Sequence, residues 1–162
     1  MRRTIGVTAL LLVLVFGVRF ADAQRGAFVA RLSGQEAVPP TNSAATGLAV
    51  FQPSSDGTRL FYRLEVRNLE NTLMAHIHLG RPGQSGPVVV WLYPYAPPPR
   101  LISGVYSGVL ATGTITAANL AGPMQGKPLS ELLTEIQNGN AYVNVHTSRF
   151  PAGEIRGQIQ RI

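Results

Sequence analysis

Leu60-Phe61-Tyr62-Arg63-Leu64-Glu65-Val66-Arg67 is the stretch that decides the fold. Leu60, Tyr62, Leu64 and Val66 alternate with Phe61, Arg63, Glu65 and Arg67, so the apolar side chains recur with period two. That is the pattern of a strand with one buried face. Just upstream, Asp56-Gly57 supplies a tight turn. Before it, residues 46–52 read as a strand, residues 33–43 as a loop carrying Pro39-Pro40, and residues 27–32 as a first strand. Downstream, residues 74–79 read as a further strand and residues 80–87 as a turn-rich loop. Residues 88–92 form an apolar run short enough for a buried strand. Four prolines mark residues 93–100 as a surface loop of extended backbone, and residues 105–115 read as one strand broken by Gly108 or as two shorter ones. Residues 141–147 and 154–160 close the chain as two strands around a turn at Pro151-Ala152-Gly153.

One helix interrupts the strands. Leu129, Leu132, Leu133 and Ile136 fall at i, i+3, i+4 and i+7, with Pro128 at the start and Gly139 past the end. The spacing predicts a short helix near residues 129–138, its apolar stripe covering one end of the sheets. The expected fold class is all-β, an antiparallel β-sandwich or barrel-like arrangement with that one helix.

The first residues read as an export signal. Arg2 and Arg3 precede an apolar run over residues 5–18, and Ala21-Asp22-Ala23 presents small residues at both positions of a cleavage site. A spanning helix needs about 20 apolar residues, and Arg19 ends this run sooner. The expected division is a signal peptide over residues 1–23 and one β domain over residues 24–162, secreted or periplasmic and without a stable membrane anchor after cleavage. Cleavage removes three of 14 basic and one of eight acidic residues, which leaves 11 against 7, about +4. The remaining arginines are scattered and form no block with interleaved aromatics, so no nucleic-acid partner is expected. The chain has no cysteine, which excludes disulfides, thiolate catalysis and zinc ribbons.

The three histidines occupy two strand segments. His76 and His78 are two residues apart and project to one side of a strand, with Ala75 and Ile77 opposite. In the second segment Tyr142, Asn144 and His146 share a side, with Val143 and Val145 opposite. If the two strands are neighbours, His76, His78 and His146 gather in one patch able to hold copper or zinc, metals that imidazole suits. Such a site needs neutral rings and weakens in acid. The competing reading is that the histidines brace a loop by hydrogen bonds. No catalytic residues are assigned. His146-Thr147-Ser148 is adjacency along a strand rather than a triad, and Glu154 with Arg156, on one strand face, is expected to form an ion pair.

Six blocks together resemble one family: Leu32-Ser-Gly-Gln-Glu-Ala-Val-Pro-Pro40, Ala45-Thr-Gly47, Ala75-His-Ile-His78, Gly86-Pro-Val-Val89, Tyr142-Val-Asn-Val-His-Thr147 and Pro151-Ala-Gly-Glu-Ile-Arg-Gly-Gln158. On these the chain is identified as a member of the CHRD domain family, over about residues 28–159. The resemblance implies an extracellular, mainly β domain, and His76, His78 and His146 fall at positions typical of the family pattern. The leading expectation is a non-catalytic binding or structural module with a copper- or zinc-binding histidine patch and an extracellular or envelope protein as partner. The alternatives are a copper- or zinc-dependent enzyme using the same histidines, and a cell-envelope protein-interaction domain without metal. Residues 81–87 and 93–100 are the expected variable surface loops.

Overall fold

The computed structural model describes residues 26–162; the expected signal peptide over residues 1–23 lies outside them. Eight strands, one α-helix and three single 3-10 turns follow in the order β1 Phe28–Ser33, β2 Thr46–Pro53, β3 Leu60–Leu79, β4 Val88–Tyr93, β5 Ile102–Ile115, α1 Leu129–Gln137, β6 Ala141–Thr147, β7 Ile155–Gln158 and β8 Gln160–Arg161.

All pairings are antiparallel. β3 pairs with β2 through its first half and with β6 through its second. β2 continues to β1, β1 to β7 and β7 to β6, so the ladder returns to β3 and closes on itself. This closure decides between the two expected architectures in favour of the barrel-like one. β5 and β4 pair with β3 as well, over residues 60–72 and 75–78 respectively.

The sequence predicts two strands where the structure has one. A straight strand of 20 residues would run about 66 Å, far beyond what a domain of this size can cover. β3 therefore bends, and the bend lies at Asn68 and Asn71, both with positive φ (57° and 53°). Asparagine tolerates this left-handed region better than other side-chain-bearing residues. The pairing with β5 slips at the same place, between Val66 and Leu69 and again between Glu70 and Thr72, which is the signature of bulges that bend a strand.

The bulged segment also changes which side chains face inward. Leu60, Tyr62, Leu64 and Val66 are buried before it, and Leu69, Ala75 and Ile77 after it. Even-numbered positions fill the core in the first half of β3, and odd-numbered ones at Ala75 and Ile77 in the second. His76 and His78 thereby leave the core face, which a strand of unbroken parity would not allow.

The core is continuous, and among its fully buried side chains are Phe28, Phe51, Leu64, Ile77, Leu132 and Ile155. α1 buries Leu129, Leu132 and Ile136 along one stripe, with Leu133 packed against the core from its edge. Pro128 stands at its N-cap, and Gly139 follows with φ 72°, the left-handed residue that ends many helices. Two smaller differences from expectation occur at the ends. A 3-10 turn, Gly34–Glu36, sits inside the loop over residues 33–43. The last expected strand is divided into β7 and β8, with Ile159 between them turned into the core.

Candidate metal centre

β6 lies beside the second half of β3, as the histidine grouping requires. Its register sets Met74 opposite His146, His76 opposite Asn144 and His78 opposite Tyr142. Val143, Val145, Ala75 and Ile77 fill the core, so the imidazoles rise from the other side of the ladder. His76, His78 and His146 each offer a ligating atom, and these atoms all lie within 4.8 Å of one another.

The cluster is not an exposed patch. His76, His78 and His146 are 2%, 7% and 5% exposed, and all seven residues of β6 are buried. Backbone of the two adjoining loops contributes to the cover. His78 Nδ1 is 2.9 Å from the Gly86 carbonyl, and His146 Nδ1 is 2.9 Å from the Pro151 carbonyl. A carbonyl only accepts, so each Nδ1 carries the proton and donates it. The Nε2 of each ring is then left with a lone pair, the state in which histidine ligates a metal.

His76 completes the cluster. Its Nδ1 lies 3.2 Å from His146 Nε2; because that Nε2 is an acceptor, His76 Nδ1 is the donor. His76 Nε2 and His78 Nε2 are both buried without a hydrogen-bond partner. Leaving a buried polar atom unsatisfied costs about 1–3 kcal/mol, so two such nitrogens beside a third make a costly arrangement in the absence of a ligand. Burial holds all three rings neutral. It pushes His76 down to about 3, with the neighbouring His146 and His78 adding to the effect. Burial pushes His78 down to about 4, partly opposed by its bond to Gly86, and it lowers His146 for the same reason. Three neutral imidazoles whose ligating atoms lie this close together suit copper or zinc.

Aromatic rings wall the site. Trp91 stands nearly perpendicular to His76 at 4.3 Å between centroids, and Tyr142 stacks on His78 at 5.0 Å and 12°. Two glycines let the loops come close. A Cβ on Gly86 would collide with the Leu79 carbonyl, and a Cβ on Gly153 with the Asn144 side-chain amide. Gly86 N–H donates to the Tyr142 hydroxyl, and Asn144 Nδ2 donates to the Ala152 carbonyl.

The expected Glu154–Arg156 ion pair does not form. Glu154 accepts from Ser43 Oγ at 2.5 Å and from Thr147 Oγ1 at 2.6 Å. Arg156 instead lays its guanidinium over the Tyr142 ring, 3.5 Å from the centroid, and Nη2 donates to the Arg81 carbonyl. Hydroxyl donors satisfy the carboxylate without the desolvation of a second charge, and a flat guanidinium stacks well on an aromatic face. Sequence reasoning assigned Trp91, Tyr142, Asn144 and Arg156 no part in the site. Tyr142 and Asn144 are visible as side-mates of His146, whereas nothing in sequence spacing marks the Gly86 and Pro151 carbonyls.

Residues 28–159 match the CHRD domain family. Chordin from Xenopus laevis is 32% identical over 136 residues, covering 79% of this chain and 12% of chordin. The chain thus spans about an eighth of the length of that relative. No solved structure matches. Among the described residues, no helix is long and apolar enough to cross a membrane.

Proposed function

The chain belongs to the CHRD domain family, and from that premise we propose that it is an exported, non-catalytic binding module that holds one copper or zinc ion on His76, His78 and His146. The observation that carries the reading is the pair of Nδ1–H to carbonyl bonds on His78 and His146. They leave Nε2 of both rings unprotonated beside His76, and such outer hydrogen bonds are what orient histidine ligands at metal sites. To ligate through Nδ1, His76 takes the tautomer that carries its proton on Nε2, so the ring stays neutral and both His76 Nδ1 and His146 Nε2 can turn a lone pair to the ion. The bound ion would supply crosslinking of β3 to β6. An extracellular or envelope protein is the partner proposed, in keeping with the chordin relative.

Metal analysis of protein purified from its native compartment tests the reading. The expected result is one copper or zinc per chain, lost in a His76→Ala, His78→Ala double variant. A second reading is favoured by the same two carbonyl bonds: the histidines brace the loops over residues 80–86 and 148–154 and bind nothing. Metal-free protein whose thermal stability stays unchanged on titration with copper and zinc would establish that alternative and overturn the first.

A further inference from the structure

Beside the histidine cluster lies a cavity of about 220 Å³, lined among others by His78, Ser85, Tyr142, Asn144 and Arg156. Exposed Ser85 stands at its rim. Arg156 is 2% exposed, and no ion pair joins it to a carboxylate among the described residues. Its guanidinium has five N–H donors, and its hydrogen bonds among the described residues issue from Nη2, to Arg81 O at 2.9 Å and Gln158 Oε1 at 3.5 Å. The Tyr142 hydroxyl accepts the Gly86 N–H, which leaves its own proton free to donate. The Glu36 carboxylate, which is exposed, acts on Arg156 as a nearby charge. A buried cation with spare donors, beside a hydroxyl donor and an imidazole ligand, is complementary to an anion.

The geometry points to a second ligand site: a small anion enters the cavity past Ser85, binds the metal at the coordination position the three histidines leave open, and is held by Arg156 and Tyr142. This rests on the metal-binding reading above. Three protein ligands leave a fourth position of a tetrahedral ion open, and a cavity of 220 Å³ admits an anion of a few atoms, since one water takes about 30 Å³. The class of ligand is therefore a small monoanion such as a short carboxylate, a halide or a pseudohalide.

Azide tests it on protein loaded with copper(II), which nitrogen ligand sets bind at least as tightly as zinc. Titration of azide is expected to give a saturable charge-transfer band. Losing a charge-assisted hydrogen bond weakens azide by at least about tenfold in Arg156→Gln, at unchanged copper stoichiometry. Ser85→Glu, on the exposed rim, is expected to weaken it by repulsion without touching the fold. Copper bound at one per chain with no azide band, or equal azide affinity in wild type and both variants, overturns the anion site and leaves the metal reading standing. Failure to take up copper overturns both.

Discussion

Gly153 shows how much of the site rests on single residues that carry no chemistry. Its φ is 126°, a conformation that L side chains rarely adopt, and the space a Cβ would need is filled by the Asn144 amide. That amide in turn holds the Ala152 carbonyl at 3.1 Å, one residue beyond the Pro151 carbonyl that orients His146. Gly153→Ala should therefore cost stability through strain, about 1–3 kcal/mol, and should also move the carbonyl that fixes the His146 tautomer. Urea unfolding of the metal-free variant measures the first effect, and copper affinity the second. A variant as stable as the parent would show that the loop relaxes around the methyl group, and that the close packing of Gly153 on Asn144 does not constrain the site.

At the level of the element, β3 shows what the sequence made legible and what it did not. Period-two alternation over residues 60–67 identifies its first half, and the His-Ile-His alternation its second. The six residues between, Asn68 to Leu73, carry no periodic signal, because a bulge has no period. The chain order of strands and the helix over Leu129–Gln137 were legible for the same local reasons, through alternation and capping residues. Barrel closure, and with it the burial of the histidines under loop backbone, depends on pairings between distant segments that side-chain spacing does not encode. The Glu154–Arg156 expectation failed for a related reason: two side chains on one strand face meet only if neither finds a better partner from another element. The bend itself makes a prediction. Left-handed backbone costs most L-residues about 1–2 kcal/mol. The Asn68 amide donates to Ser107 Oγ through its backbone, whatever the side chain. Asn68→Gly should keep full stability, whereas Asn68→Val should lose about 1 kcal/mol or more in chemical denaturation. Equal unfolding midpoints for the two would show that the turn of β3 does not depend on the left-handed residue.

Across the whole molecule, closing the barrel ties stability to proton uptake by the histidines. In the folded, metal-free chain, burial keeps His76 neutral down to about 3 and His78 down to about 4, and His146 is lowered with them. Unfolding returns all three to water, where an imidazole takes up its proton near 6.5. Between these values the unfolded chain binds more protons than the folded one, so acid favours unfolding. The stability contributed by neutral, buried histidines is complete above about pH 6.5. It is lost progressively as pH falls toward the folded values. Carboxylates titrate mostly below about 4.5, which makes the interval from pH 6.5 to 5 the informative one. The urea midpoint of metal-free protein is expected to fall steadily through that interval, with a shallower fall in the His76→Ala, His78→Ala variant, which retains only His146. Parent and variant falling in parallel would mean that the acid sensitivity arises elsewhere, and the three rings would then have to be solvated in a way their 2–7% exposure does not permit.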